Sequence, residues 1–513
     1  MDKLSMNEVF TDSFLKRGDK KAITFLRNGE IETEISYLEL DRDSSQMANT
    51  LIDLGVGKGD RVILFLPKSL VFLVAHIALQ KIGAVSVPLN PGFKKSEMSY
   101  FIEDADTGLV ISGEGQEAMI NEIAPELANL VIDTRKRYQD LDFFRSASDV
   151  VPGVEILPDD SALIIYTSGT TGLPKGAVLT QRNLIHDAEN IIKIWEITES
   201  DTLCHALPLF HVHGLCFALH TSLLAGAHVL LLDQFFPKTV IETLMRKDGE
   251  EACTLFMAVP AMYSILMDYA WERNPDFSNM RLWTSGSAPL LPKDFHRIKD
   301  IFGKGPVERE GMSETGMNFS NPIKGERKPG SIGLPLPDLK VRIVNPETFQ
   351  DVETGRRGEI WLKGPSVSPG YWKKPDETAK AFENGWFRTG DLGRVDEDGY
   401  YYLTDRIKHI IISGGENISP KEIEGVINQL GDVVESCVIG IPDEKWGEKV
   451  IAAVVTKAGS VLKTDDVRSY CKEYLHDWKC PKEVVFLKEL PKNRMGKVLK
   501  EKLKESLDRG SSL

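Results

Sequence analysis

Residues 166–176 read Tyr-Thr-Ser-Gly-Thr-Thr-Gly-Leu-Pro-Lys-Gly, and they close an apolar run, Ala162 to Tyr166, that has the make-up of a buried strand. Glycines such as Gly169 and Gly172 permit tight backbone conformations that leave amides facing phosphate oxygens. Thr167, Ser168, Thr170 and Thr171 add hydroxyl donors, and Lys175 adds a positive charge. A plain surface turn needs neither so many small hydroxylated residues nor a lysine. The usual P-loop of kinases and ATPases has Gly before its lysine and Ser or Thr after it, whereas Pro174 and Gly176 hold those places here. The stretch therefore reads as a phosphate-binding loop of another kind.

Working outward, the N-terminal part alternates helices and strands. Ser36 and Glu39 form a capping-box pattern, Leu40, Met47, Leu51 and Leu54 follow at helical spacing, and Gly55 ends the helix. Val62–Leu66, a helix to about Ile82, and Ala84–Val87 make a βαβ unit, which predicts a parallel sheet. Strands are expected again at 162–166, 229–232, 254–259 and 281–284. The last hundred or so residues read as a separate small α+β unit, with strands near 410–412, 433–439 and 450–455 and helices near 421–428 and 464–475. The expected class is α/β, with a large domain over 1–404 and a small mobile one over 405–513, joined at Asp405-Arg406-Ile407-Lys408.

The chain has 513 residues, too many for one compact core, and 42% hydrophobic with 27% charged residues fits a globular protein outside the membrane. The first ten residues lack the apolar run of a signal peptide. Leu70 to Leu79, broken by His76, is about half the length of a stable membrane span and reads as a buried helix. Six scattered cysteines without C-x-x-C spacing suit reduced core residues and a cytoplasmic protein, and argue against zinc. A net charge of −14 disfavours a nucleic-acid binder. Lys479 to Lys504 nonetheless holds eight Lys and one Arg against Glu483, Glu489 and Glu501, either a solvated helix face or a place for an anionic ligand.

Several further stretches resemble, in order, motifs of the adenylate-forming superfamily of acyl-CoA synthetases, luciferases and adenylation domains. They are Gly311-Met312-Ser313-Glu314-Thr315, Thr389-Gly390-Asp391, Asp405-Arg406-Ile407-Lys408, Ser413-Gly414-Gly415 through Pro420, and Pro491 through Lys497. Taken singly, Asp391 is a turn acid, Lys497 one more lysine in a basic tail, and Glu314 an acid at a helix start. Their joint occurrence carries the resemblance. It implies an AMP-forming acid–CoA ligase using ATP, Mg2+ and coenzyme A. By it, the loop 167–172 and Lys175 hold phosphates, and Glu314, with Thr171, holds magnesium. Gly311, Met312, Ser313, Asp391 and Arg406 contact the nucleotide. Lys497 is catalytic, Lys408 is the hinge, and Gly414 and Gly415 turn toward the pantetheine tunnel. One departure stands out: the aromatic that usually precedes the motif glycine and stacks on adenine is Glu310 here.

The acid is set by segments that resemble those of malonyl-CoA synthetases: Phe210-His211-Val212-His213-Gly214, Ser285-Gly286-Ser287-Ala288, and Met312 to Asn318, including Met317. Arg327 is the expected partner of a second carboxylate, with the alternative that it is a loop cation paired with Glu326 or solvent. Medium- and long-chain acyl-CoA synthetases share most of these motifs and are the second reading. A carrier-protein loader is disfavoured, with sixteen residues after Lys497, and so is a non-catalytic nucleotide binder, since Lys497 and Glu314 are both present. Oligomeric state is not legible.

Overall fold

The structure is a computed structural model that describes residues 5–167, 173–247, 251–270, 273, 275–413, 416–443, 446–493 and 496–508, apart from the side chain of Asn417. The chain divides into two compact units, Met1–Lys340 with Leu362–Phe387, and Val341–Trp361 with Arg388–Leu513. The class is α/β, as expected from the alternation.

In the first unit the βαβ pattern builds a seven-stranded sheet. Val85–Pro88, Arg61–Phe65, Leu109–Gly113 and the edge strand Ala128–Ile132 run parallel, and Ser161–Thr167 lies parallel beside Val85–Pro88. The helix Tyr37–Asp53 starts at the expected capping box of Ser36 and Glu39. Leu70–Lys81 is buried on all sides, His76 included, so its largely apolar character marks a core helix. Its one full charge, Lys81, donates to Asp41 Oδ1 at 2.7 Å, Asp41 O at 2.8 Å and Ser45 Oγ at 2.8 Å, which uses all three ammonium protons.

Strand Ser161–Thr167 pairs antiparallel with Lys175–Thr180, with Thr167 opposite Lys175. The glycine-rich loop therefore connects two strands of one hairpin, whereas a P-loop leads into a helix. This explains the absence of the P-loop lysine pattern.

A nine-stranded sheet carries the parallel run Val307–Met312, Leu282–Ser285, Leu255–Ala258, Thr202–His205, His228–Leu232 and Lys21–Arg27. Antiparallel strands Glu30–Ser36 and Gly316–Ser320 flank it. Parallel α/β sheets present ligands at the carboxyl ends of their strands. Ser285 and Met312 end neighbouring strands here, so the 285–288 and 311–317 segments come together.

In the second unit, Val433–Asp443 and Gly447–Thr456 form a long antiparallel pair, joined by the parallel strand Glu483–Leu487. Helices Pro420–Ile427 and Thr464–Tyr474 contribute Ile423, Ile427, Val467 and Cys471 to its core. All six cysteines are free and buried. Among the described residues, no helix is long and apolar enough to cross a membrane.

Breaking a buried ion pair on one side strands the other charge. Lys81→Met is expected to lower the unfolding free energy by about 3 kcal/mol, read as a shift in the urea midpoint, and a shift below about 1 kcal/mol rejects a structural role for the pair.

Candidate active site

The hairpin places Lys175 next to two further groups. Its ammonium pairs with Glu377 and lies 5.4 Å from the centre of the Tyr371 ring. Tyr371 sits on the short strand Gly370–Tyr371, which pairs with Lys175–Thr180, and its hydroxyl donates to Glu314 Oε1 at 3.0 Å. Ser368 N donates to Glu314 O at 2.8 Å. Lys175 and Glu314 are thus joined through one tyrosine that the sequence reading did not single out. Thr167 donates through its hydroxyl to Lys175 O at 3.3 Å. Ser168, Gly169, Thr170, Thr171 and Gly172 lie outside the described residues. Asp104 ties down both ends of the loop: Tyr166 donates to its Oδ2 at 2.8 Å, while Tyr100 donates both to Pro174 O and to Asp104 Oδ1.

The strand Val307–Met312 turns tightly into Gly316–Ser320, with Met312 opposite Gly316. A Cβ on Gly311 would stand 2.6 Å from Gly316 O, so only glycine allows the strands this approach. Met312 and Ser313 lie in the same turn, and Thr315 N donates to Met312 O at 3.5 Å. Glu310 accepts from Asn318 Nδ2 at 3.1 Å across the hairpin. The position that is usually aromatic is therefore tied to Asn318 by a side-chain hydrogen bond.

Beside this hairpin lies a buried polar cluster. Arg309 is 3% exposed, and its Nε, Nη1 and Nη2 have no hydrogen-bond partner among the described residues. Its guanidinium lies 5.1 Å from the centre of the Phe217 ring and packs against Gly286, where a Cβ would stand 2.6 Å from its Cζ. Burial pushes its pKa down to about 10, against the pull of Glu310 and Asp187. A desolvated cation without acceptors is costly to a fold, so the arrangement suits an anion supplied from outside the chain.

The neighbouring groups are polar and equally underused. His213 opens a wide, π-type helical turn over His213–His220, of a kind frequent at functional sites. Ser287, in the left-handed region at φ 67°, meets His213 Nδ1 at 3.2 Å, while His213 Nε2 has no partner among the described residues. Burial, then the nearby Arg309, pushes the His213 pKa well down and keeps the ring neutral. Burial does the same for His211, pushed down to about 4. Ser285 Oγ and Asn318 Oδ1 also lack partners among the described residues. Gly214 is fixed by crowding, since a Cβ there would stand 2.0 Å from Pro208 O. Its carbonyl accepts from His205 Nε2 at 2.8 Å, and Lys68 donates to His205 Nδ1 at 3.0 Å, which sets the ring's tautomer.

Arg327 is elsewhere occupied. Its guanidinium donates to Pro322 O at 3.1 Å, Ile323 O at 3.1 Å and Gly305 O, so it staples its own loop. Against the expectation that Arg327 partners a second carboxylate, its guanidinium is committed to these three carbonyls, while the buried guanidinium of Arg309, eighteen residues earlier in the chain, has no hydrogen-bond partner among the described residues. A signal was present: Glu308-Arg309-Glu310 puts three charges in a strand with a buried start, and charged residues are rarely buried without a purpose. Met317 is buried, and its N–H donates to Asp187 Oδ1 at 2.8 Å.

In the second unit, an antiparallel pairing aligns Asp391 with Arg406. Arg406 grips the Asp391 carboxylate with both arms, Nε to Oδ1 at 2.6 Å and Nη2 to Oδ2 at 3.2 Å. Asp405 is buried and accepts from Ser419 Oγ at 2.5 Å and Lys421 N at 3.1 Å, which anchors the chain just before Lys408. The Lys408 ammonium is pushed down to about 8, by desolvation first and then by the like charges of Arg406 and Lys497. The Lys497 N–H donates to Asn493 Oδ1 at 3.0 Å. Asp391, Arg406, Lys408 and Lys497 therefore share one electrostatic neighbourhood. Gly414 and Gly415 lie outside the described residues.

Comparison with known proteins gives this geometry a family. Residues 10–372 match the AMP-binding enzyme family and residues 422–497 the AMP-binding enzyme C-terminal domain. The chain is 34% identical over 509 residues to the oxalate–CoA ligase of Arabidopsis thaliana, covering 97% of this chain and 98% of that one. It is 32% identical over 536 residues to a long-chain-fatty-acid–CoA ligase of Bacillus subtilis, with 98% and 94% covered. Among solved structures, ATP-bound MatB from Rhodopseudomonas palustris is 37% identical, with 98% of each chain covered and a TM-score of 0.91. Family matches over both domains and likeness from end to end to CoA ligases lead to one conclusion: the chain belongs to the AMP-binding enzyme family, among its AMP-forming acid–CoA ligases.

Proposed function

We propose that this ligase activates a short dicarboxylic acid, malonate or a close relative, and transfers it to coenzyme A. The observation that carries the reading is Arg309, a buried guanidinium whose nitrogens lack partners among the described residues, beside Gly286. A far carboxylate entering an apolar pocket needs such a cation, and a planar guanidinium binds a carboxylate through two parallel hydrogen bonds. His213 Nε2 and Ser285 Oγ supply further polar contacts, and His211, Gly286 and Met317 complete the wall. The similarity to an oxalate–CoA ligase supports a small diacid, and the similarity to a long-chain-fatty-acid–CoA ligase makes monocarboxylic acids the necessary comparison.

In the first step a carboxylate oxygen attacks the α-phosphorus of ATP, the bond to the β-phosphate oxygen breaks, and pyrophosphate leaves with the electron pair. In the second, the CoA thiol gives up its proton as its sulfur attacks the acyl carbon, the bond from that carbon to the phosphate oxygen breaks, and AMP leaves with the electron pair. The first step brings two anions together, so positive charge placed between them lowers its barrier. Lys497 supplies that charge, Lys175 and Thr167 with the loop 168–172 hold the phosphates, and Asp391 with Arg406 takes the ribose. Glu314, oriented by Tyr371, is the magnesium ligand in this reading. Mg2+ is held by one or two carboxylates plus phosphate oxygens, a donor set that a lone glutamate and the nucleotide fit. When bound, it neutralises phosphate charge. Lys408 is the hinge that precedes thioester formation, and Gly414–Gly415 serve the CoA side. Free, buried cysteines suit a reducing compartment, in this reading the cytoplasm.

The deciding measurement compares kcat/KM for malonate and hexanoate with ATP and CoA present. Wild-type preference for hexanoate overturns the dicarboxylate reading. Arg309→Met is expected to lower kcat/KM for malonate by about 2–5 kcal/mol of transition-state binding and to spare hexanoate. Arg327→Met should leave the ratio of the two acids unchanged.

Lys497→Ala is expected to slow adenylation roughly 100- to 1000-fold, while conversion of supplied acyl-AMP and CoA to thioester suffers far less. Equal losses in both half-reactions reject the assignment. Tyr371→Phe removes one hydrogen bond to a carboxylate and is expected to slow ATP–pyrophosphate exchange about tenfold. An unchanged exchange rate would detach Tyr371 from the Glu314 role.

A further inference from the structure

A relay of polar groups ties the two sheets of the first unit together. Lys68 follows the strand Arg61–Phe65 of the seven-stranded sheet and precedes Ser69, the N-cap of Leu70–Lys81. His205 ends the strand Thr202–His205 of the nine-stranded sheet. Both residues therefore stand at the carboxyl ends of parallel strands, where α/β sheets present ligands. The Lys68 amine donates to His205 Nδ1 at 3.0 Å and to His205 O at 2.8 Å, and His205 Nε2 donates to Gly214 O at 2.8 Å.

Each proton in this relay has one place to go. Gly214 O can only accept, so His205 Nε2 carries the ring's proton. Burial, then the Lys68 charge, pushes the His205 pKa down to about 3, so the ring is neutral and its Nδ1 is an acceptor. Lys68 must then be the donor, and it finds two acceptors on one residue. Burial pushes Lys68 itself down to about 7, yet an amine keeps two protons in either charge state, so both bonds survive its ionisation.

At the other end stands Gly214, the second residue of the wide turn His213–His220. A Cβ there would stand 2.0 Å from Pro208 O and 3.2 Å from Leu207 Cβ, so the chain doubles back between Leu207 and Gly214. Leu215 N donates to His211 O at 3.0 Å within the same bend. The bend carries His211 and His213, and His213 Nδ1 meets Ser287 Oγ at 3.2 Å. His205 grips this bend by a main-chain carbonyl, and Lys68 fixes the ring that grips it.

We infer that Lys68 and His205 are positioning residues for the acid: the relay Lys68–His205–Gly214 holds the 207–214 bend so that His211 and His213 meet the acid in a fixed place. The inference rests on the reading of His211 and His213 as acid-site residues. Neither Lys68 nor His205 touches substrate in this role, so their loss is felt as weaker capture of the acid, with ATP binding spared.

The test measures KM for malonate and KM for ATP on the full-length enzyme. Lys68→Met and His205→Phe are each expected to raise KM for malonate about tenfold, the scale of one lost hydrogen bond, while KM for ATP stays within about twofold. The two side chains act as a unit, so the double variant should be no worse than either single one. His205→Gln offers an amide oxygen to Lys68 and an amide N–H to Gly214 O, and it is expected to recover most of the loss. A side chain that merely filled space would gain nothing from that amide. Lys68→Met, at the partly exposed end of the relay, keeps the test decisive if His205→Phe fails to fold. His213→Ala is the reference. Should it raise KM for malonate while Lys68→Met does not, or should Lys68→Met raise KM for ATP in parallel, the inference is overturned and the reading of the acid site stands. Should His213→Ala leave KM for malonate unchanged, that reading falls and the inference with it.

Discussion

A guanidinium enclosed by protein, with no hydrogen-bond acceptor for any of its nitrogens among the described residues, is the constraint around which the proposed acid site is arranged. Desolvating such a cation is costly, and an unmade hydrogen bond adds to the cost. Around Arg309 the chain offers an aromatic face from Phe217, two carboxylates at a distance and the bare backbone of Gly286. The strand that carries it is fixed by parallel pairing to Leu282–Ser285 on one side and antiparallel pairing to Gly316–Ser320 on the other. The same strand leads on to Gly311 and Glu314, so the segments proposed to hold acid, nucleotide and metal are one continuous piece of chain.

The second constraint is the hairpin that carries the glycine-rich loop. Antiparallel pairing of Ser161–Thr167 with Lys175–Thr180 fixes both ends of the loop, and Gly370–Tyr371 adds a third strand on the outer edge. Tyr371 then spans from Lys175 to Glu314. The groups proposed to grip phosphate and to hold the metal are thereby coupled through hydrogen bonds and packing rather than by adjacency in sequence.

Local signals carried much of the fold. The capping box at Ser36, the apolar strand begun near Val62 and the buried character of Leu70–Lys81 each rest on neighbours in sequence, and the structure has them. The order of motifs likewise sufficed for the family. Identities that depend on distant neighbours were not legible. Arg327 looked like a pocket cation because it sits in a loop near the right motif, yet three carbonyls claim it. Arg309 was hidden by Glu310 beside it, and only the close approach of Gly286 reveals which side the guanidinium takes. Asp187 precedes its partner Met317 by 130 residues, beyond the reach of any spacing argument.

The crowding at Gly286 has a consequence for how such a pocket can change over evolution. Any side chain at that position claims the volume the guanidinium fills, because its first carbon already falls 2.6 Å from Arg309 Cζ and 2.8 Å from Arg309 O. Width and charge of the wall are therefore locked into a single variable. A lineage drifting toward bulkier residues at 286 must surrender the cation in the same stroke, so relatives on this scaffold would tend to fall into two groups, with few intermediates between them.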